Sequence, residues 1–190
     1  MTPRTSPASQ VYLTKHIRGA CLDLQRLELA EIPSEHPVRQ IGEGYCRLLA
    51  QCADQHLPEI DDLTKSVDAR QLDFCLVLAP VEADPFIDFM VVQSGARLPG
   101  GIGAFRRGEL YSDQLSNQLA PARLMELASS MSLKLCRFSV ANSARPSALN
   151  IRVFRAVLPV WIMKMQKHGV MLAIAPVYAT SVATVPLRDA

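Results

Sequence analysis

The sequence predicts an α+β domain in which a five-stranded antiparallel sheet is covered by helices on one face. Two apolar runs, "LDFCLVLAP" and "PFIDFMVVQSG", are separated only by the turn "VEAD", a pattern typical of an antiparallel hairpin. Three more apolar runs, within 133–140, 149–161 and 170–177, follow a helical segment. Strands and helices do not alternate as a parallel sheet would require, so the antiparallel arrangement is favoured.

The first 35 residues are predicted to be an N-terminal extension that is partly disordered. The opening "MTPRTSPASQ" is polar and lacks a following signal-peptide core. Between Val11 and Ile32, apolar residues alternate in two short pieces, a spacing that does not distinguish helix from strand.

A helix is predicted after Pro37, which suits a first helical turn. Its apolar residues recur at steps of three and four: Val38, Ile41, Tyr45, Leu48, Leu49 and Cys52. Gly42 and Gly44 lower its intrinsic propensity by roughly 1 kcal/mol each, so packing or a close approach must hold it. This helix is expected to mediate a homodimer, with Val11–Ile32 as a further candidate for the dimer surface, since an apolar helix with no core of its own to cover needs a partner.

The later elements complete one domain over residues 36–178, with 179–190 as a C-terminal tail. An acidic segment containing Glu59, Asp61 and Asp62 precedes the hairpin and is expected to form a solvated face or helix cap. After the hairpin, a second and longer helix is predicted over 119–133 with Leu124, Leu127, Ala128 and Met131 on one face.

Composition limits the class of function. The chain is 49% hydrophobic and 20% charged with a net charge of +2, which disfavours binding to nucleic acid or to an acidic membrane surface. The longest apolar runs are too short to span a bilayer. The five cysteines have neither zinc-site nor disulfide spacing and are expected to be reduced and mostly buried, consistent with a cytoplasmic protein.

The order of elements and the local sequence resemble PAS domains, most of all the stand-alone PAS-like proteins of alphaproteobacteria. The resemblance runs from about residue 36 to 178. It includes Gly95 at the end of the second strand, the segment of Gly103 and Gly108-Glu109-Leu110, and the helix "APARLMELA". The glycine-rich loop Pro99–Phe105 and the first 35 residues depart from it.

This resemblance implies a sensory or regulatory module in signal transduction. Such a module binds a small ligand between sheet and helices, or dimerises, and passes the change to another signalling protein. The pocket would take a small apolar ligand. Its candidate residues, which are equally expected in a core, are Phe74, Leu76, Phe89, Val91, Leu124, Leu127, Phe138 and Phe154.

Flavin and haem are not expected as cofactors. The string "LCRF" at residues 135–138 is close to a photoreactive cysteine motif, but Cys136 follows the long helix, where such a cysteine should precede it. In a strand, Cys136 would share a face with Phe138 and Val140. The long helix also lacks the histidine of PAS haem sensors, because His16, His36, His56 and His168 lie elsewhere and are expected to be solvated or capping.

No catalytic or metal-binding residues are predicted. The loop "GGIGAF" lacks the third glycine of a dinucleotide fingerprint and any Walker lysine, although Arg106 and Arg107 leave open contact with an anion. One alternative function is a small enzyme of the ketosteroid-isomerase type, with Asp73 or Asp88 as a general base in an apolar pocket. Another is an interaction adaptor with a filled core and no ligand.

Overall fold

The computed structural model describes residues 11–17, 20–52, 56–83, 86–98, 105–115, 120–145 and 148–179. Within these ranges the strands are β1 (Val11–Ile17), β2 (Ala20–Leu27), β3 (Cys75–Ala83), β4 (Phe86–Ser94), β5 (Arg137–Arg145), β6 (Ala148–Ile162) and β7 (Lys167–Pro176). The α-helices are α1 (Pro37–Gln51), α2 (Ile60–Ser66), α3 (Ala69–Leu72) and α4 (Ala120–Leu133), and short 3-10 helices span Leu29–Glu31, Ser112–Gln114 and Met163–Met165.

The seven strands in the described residues form one open antiparallel sheet with the order β1-β2-β5-β6-β7-β3-β4. The five strands expected from the sequence are all present and adjacent. They are extended by the N-terminal hairpin, which adds to the β5 edge with Leu24 opposite Ala141. Residues 11–17 and 20–27 are therefore strands of the same sheet, while residues 1–10 and the tail from 180 onward lie outside the described residues.

The prediction that the helices cover one face of the sheet is wrong. On β3, Cys75, Val77 and Ala79 pack in the apolar layer of α1 and α2. The alternate residues Leu76 and Leu78 pack in the layer of α4. Because successive side chains of a strand point to opposite faces, α1 and α4 cover opposite sides of the sheet.

Helix α1 begins at a cap supplied by a buried histidine. The Val38 N–H donates to Nδ1 of His36 at 3.2 Å, and Nε2 of His36 donates to the Pro176 carbonyl oxygen at 2.8 Å. The imidazole thus fixes the start of α1 to the end of β7. His36 is a capping residue as expected, but it is not solvated.

The apolar side of α1 packs on its own sheet. Val38, Ile41 and Tyr45 are fully buried, and the Tyr45 hydroxyl donates to the Pro159 carbonyl oxygen on β6 at 2.9 Å. The outward positions Arg47 and Ala50 are exposed. The reason given above for dimerisation through this helix therefore does not hold, because α1 already covers a core.

The free edge of β4 is partly covered by the segment Gly108–Tyr111. The Gly108 N–H donates to the Val91 carbonyl at 2.8 Å, and the Tyr111 N–H donates to the Phe89 carbonyl at 2.7 Å. Gly108 has φ +85°, a left-handed conformation that glycine adopts without strain. No helix among the described residues has the length and apolar character needed to cross a membrane.

Gly95, directly after β4, lies so close to another part of the main chain that a side chain does not fit there. Its N–H donates to the Cys75 carbonyl at 2.8 Å. A Cβ atom there would lie 2.3 Å from the Asp73 carbonyl oxygen and 2.5 Å from that of Leu72. Main-chain atoms cannot rotate away as a side chain can, so this turn admits only glycine without moving the strand.

We expect Gly95→Ala to lower the free energy of unfolding by about 3 kcal/mol, as overpacking against a fixed backbone does. The measurement is urea denaturation. Gly44→Ala is the matched control, because its added Cβ would meet side-chain atoms of Val67 at 3.0 Å and Ser66 at 3.4 Å. Equal stability of the two variants would contradict the proposed backbone clash.

Candidate functional site

The eight predicted pocket residues do not converge on one cavity. Leu76, Phe89, Val91, Leu124 and Leu127 pack together between α4 and the sheet. Phe74, Phe138 and Phe154 lie in the layer of α1, on the opposite face. Of the eight, only Val91 lines either of the two main clefts found in the described part of the chain. The set therefore belongs to two apolar layers, which agrees with the alternative that these side chains form the core.

A buried ionic cluster joins α4 to the sheet where a ligand was expected. Arg155 on β6 donates from Nη2 to Oε2 of Glu126 at 3.1 Å and from Nη1 to Oε1 at 3.3 Å. Arg123, one turn before Glu126 on α4, donates from Nη1 to Oε2 at 2.9 Å. Glu126 is 8% exposed and Arg155 is 3% exposed. We call Arg123, Glu126 and Arg155 the α4 ion cluster.

The charges of this cluster stabilise one another. Burial alone would raise the pKa of Glu126, but Arg155 and Arg123 outweigh it and hold that pKa at about 2. The stabilisation is complete above the ordinary pKa of 4.5 and is lost as pH falls through about 2. Burial raises the pKa of the neighbouring Tyr111, and the charges of Arg123, Arg155 and Glu126 also act on its hydroxyl group. The cluster thus fastens α4 to β6 and occupies the space beneath the helix.

Neither proposed carboxylate base faces an apolar cavity. Asp88 is buried on β4, and its Oδ1 accepts from the Phe89 N–H at 2.6 Å and from the Ser112 N–H at 3.4 Å. The Ser112 hydroxyl donates to its other oxygen. Asp73 is half-buried in the turn before β3. Asp88 therefore secures the 105–115 segment to β4, and neither residue lines either of these two clefts.

The larger of these two clefts lies at one end of the sheet and has a volume of about 780 Å³. It is bounded by the end of α1, the start of α2 and the ends of β6 and β7. Its lining residues are Leu48, Gln51, Cys52, His56, Leu57, Pro58, Glu59, Asp62, Lys134, Trp161, Met163 and His168. We call this site the α1 cleft.

Trp161 and His168 form an aromatic wall of the α1 cleft. Their ring centroids are 5.2 Å apart at an interplanar angle of 74°. The main-chain N–H of Trp161 donates to the Pro58 carbonyl oxygen at 2.9 Å, which holds the segment before α2 against β6. Burial, with Lys134 nearby, lowers the pKa of His168, so its imidazole favours the neutral form. Apolar, aromatic and charged groups therefore line one concave site, as in many small-molecule sites.

Sequence reasoning missed this cleft, because its residues come from four separated segments. The single tryptophan of the chain was the one local signal, since large aromatic side chains are common in binding sites. His56 and His168 were noted only as solvated or capping residues. The acidic residues Glu59 and Asp62 do mark the start of α2 as expected, with Glu59 at the N-cap position.

A second cleft, of about 680 Å³, lies beside β4 and includes Arg107, Gly108 and Met163–Met165. Arg106 pairs with Glu109 at 3.2 Å on the surface. Residues 99–104 of the glycine-rich loop lie outside the described residues, and the anion contact of Arg106 and Arg107 stays a prediction. Among the described residues, no group of three or more histidine, cysteine, aspartate or glutamate side chains could hold a metal ion.

No protein-family model, curated protein or solved structure matches this chain.

We expect Glu126→Gln to destabilise the protein by about 3–5 kcal/mol, because it leaves two buried guanidinium groups without their counter-charge. Urea denaturation at neutral pH measures the change. Glu109→Gln removes a carboxylate from the exposed Arg106 pair and is expected to cost about 0–1 kcal/mol. A Glu126→Gln loss as small as that of the control would show that the cluster does not fasten α4.

We expect stability to fall on acidification below pH 6.5 because of His36. Burial lowers the pKa of this histidine, although the hydrogen bond to Pro176 opposes the effect. Below 6.5 the unfolded chain therefore takes up a proton that the folded chain resists, and the stability present above 6.5 is lost as pH falls towards the lowered pKa.

The measurement is the urea midpoint between about pH 7 and pH 5. His36→Asn keeps a capping side chain but removes the titration, so its midpoint should vary less with pH. His168→Gln is the control, and its slope should stay closer to that of the unmodified protein. An unchanged slope in His36→Asn would contradict this assignment.

Proposed function

We propose that this protein is a PAS-like regulatory module of the cytoplasm that acts in signal transduction. The support is architectural: a hairpin, a long helix and three closing strands follow one another as the resemblance requires, and their five strands are neighbours in one antiparallel sheet. Three half-buried free thiols, Cys46, Cys52 and Cys136, are compatible with a reducing compartment.

The α1 cleft is the proposed ligand site of this module, and it is the observation that carries the proposal. Its volume falls within the range of about 300–1,000 Å³ that small-molecule sites occupy. The ligand class that fits is a small molecule with a flat or apolar body, to pack on Trp161, and a polar edge, to meet Lys134 or Asp62. The site also contacts α1, so occupancy would bias the position of that helix.

A ligand-free adaptor is the second candidate. The specific observation in its favour is the filled interface beneath α4, together with apolar side chains exposed at the outer surface of that helix, Met125 at 71% and Leu133 at 61%. As an adaptor, the domain would bind a partner protein at the exposed surface of α4. An enzyme of the ketosteroid-isomerase type has less support, because Asp73 and Asp88 line neither of the two clefts.

Homodimerisation remains part of the regulatory proposal, although α1 offers only its outer, mainly polar side. Light scattering across a range of concentrations tests it. A particle of twice the 20.9 kDa chain mass supports a dimer, and a constant single-chain mass rejects it.

The only tryptophan of the chain makes the α1 cleft directly testable. Native mass spectrometry of gently desalted protein would detect a retained small molecule. A panel of aromatic acids and amines would then be titrated while Trp161 emission is followed. We expect saturable quenching or a spectral shift for at least one compound.

Two variants locate that binding. His168→Ala removes part of the aromatic wall and should weaken binding at least tenfold, whereas His36→Asn, outside the cleft, should leave the affinity unchanged. A protein that carries no added mass and whose Trp161 emission responds to no compound would favour the adaptor. Binding that His168→Ala leaves intact would place the ligand elsewhere.

A further inference from the structure

Helix α1 lies closely against the beginning of β5. A Cβ atom at Gly42 would lie 2.8 Å from Cε1 and 3.3 Å from Cζ of Phe138, so the glycine allows the phenyl ring to rest on the helix. Cys46 follows Gly42 by one helical turn, on the same side of α1. Cys136 precedes Phe138 by two residues, and residues two apart in an extended segment point to the same face. The contact between Gly42 and Phe138 therefore brings Cys46 towards Cys136.

The two cysteines also share one environment. Both are half-buried, and both pack on the apolar layer that contains Phe138. Burial raises the pKa of each thiol. The neighbouring Cys136 raises the pKa of Cys46 further, whereas a hydrogen bond from Cys46 opposes the rise at Cys136. The hydrogen bond thus favours the thiolate form of Cys136 over that of Cys46. Cys46 is then the neighbouring thiol that can form the second half of a disulfide.

We propose that Cys46 and Cys136 are a redox site that forms a reversible disulfide between α1 and the start of β5 when the protein meets a peroxide. The Cys136 thiol releases its proton, its thiolate attacks one oxygen of hydrogen peroxide, and the O–O bond breaks. The departing hydroxide takes up that proton, so a sulfenic acid and one water result. The Cys46 thiol then releases its proton and its thiolate attacks the sulfenic sulfur. The S–O bond breaks, and the departing hydroxide takes up the second proton to give a second water. One peroxide is reduced as two thiols are oxidised, and a dithiol reverses the reaction.

The other described cysteines are less suited to this reaction. Cys75 is fully buried on β3, and burial raises its pKa strongly. Cys52 follows Cys46 by six residues, which corresponds to a rotation of about 240° around the helix axis and places it on a different side. Cys52 instead lines the α1 cleft.

A bond between Cys46 and Cys136 would fix two walls of the α1 cleft. Leu48 and Gln51 lie within five residues of Cys46, and Lys134 lies two residues before Cys136. Oxidation would hold these walls at a set separation and so change access to the cleft. This consequence rests on the proposed function, whereas the disulfide itself does not.

Peptide mapping decides between the possible disulfides. The full-length protein is treated with hydrogen peroxide, its remaining thiols are blocked, and it is digested without reductant. We expect a Cys46–Cys136 linked peptide as the main product, its yield rising with pH because both thiol pKa values are raised, and its loss after dithiothreitol. A main product linking Cys46 to Cys52, a disulfide between two chains, or sulfinic acid without any disulfide would overturn the proposal.

Variants supply the matched control. Cys136→Ala should abolish the linked peptide, whereas Cys52→Ala should leave it unchanged. Peroxide should also raise the urea midpoint of the unmodified protein and of Cys52→Ala but not that of Cys136→Ala, because only the first two can close the crosslink. A midpoint shift that persists in Cys136→Ala would contradict the assignment. Failure of the Trp161 titration would leave these outcomes unaffected and would count only against the ligand site.

Discussion

The rest of the structure depends on one constraint, which is that the interior strands β3 and β7 are apolar on both faces. In β7, every residue from Gly169 to Ala175 is buried. A sheet whose middle must be hidden from water on both sides needs a cover on each side. Helices α1 and α2 provide one cover and α4 the other, so the element order alone does not decide where the helices go. Their placement then determines where a cleft can remain.

Much of the fold was predictable because its signals are local. The hairpin, α1 and α4 follow from turn residues and from steps of two or three to four residues. The bounds of α1, β4 and α4 agree closely with the structure, whereas β3 begins only at Cys75 and continues through Val81–Ala83, which were predicted as part of the turn. The two-sided cover was also encoded, since unbroken runs such as "LDFCLVLAP" and "VMLAIAP" are typical of strands buried on both faces. The prediction of helices on one face rests on the order of elements, which does not show whether a strand is buried on one face or on both. The apolar residues of β1 and β2 show neither a clear helical nor a clear strand spacing. These strands depend on the pairing of β2 with β5, more than one hundred residues away in the sequence.

The site was less predictable, because each of its parts depends on register. Arg155 belongs to the imperfectly alternating segment "NIRVFRAVLPV", where local sequence does not say which arginine is buried. In the sheet Arg152 is exposed and Arg155 faces α4, three residues along and hence on the opposite side of the strand. Its partner Glu126 comes from a helix whose position is fixed only after folding. The same holds for the predicted pocket residues, because local sequence does not show that Phe74, Phe138 and Phe154 pack on the opposite face from the other five.

The two faces of the sheet consequently have different capacities for change. The α4 side is fastened by the buried ion pairs of Glu126 with Arg123 and Arg155, and no residue of α4 lines either of the two clefts. On the α1 side, the helix is held by a histidine cap at its start and by packing along its length, while its last turn borders the α1 cleft. A helix that is anchored at one end and borders a cleft at the other can transmit occupancy of that cleft as a small tilt. The Cys46–Cys136 pair lies between these two ends, so a crosslink there would limit the tilt and leave the anchored end unchanged. The ligand-sensing role proposed for this domain is therefore expected to depend on α1, with α4 as the fixed reference.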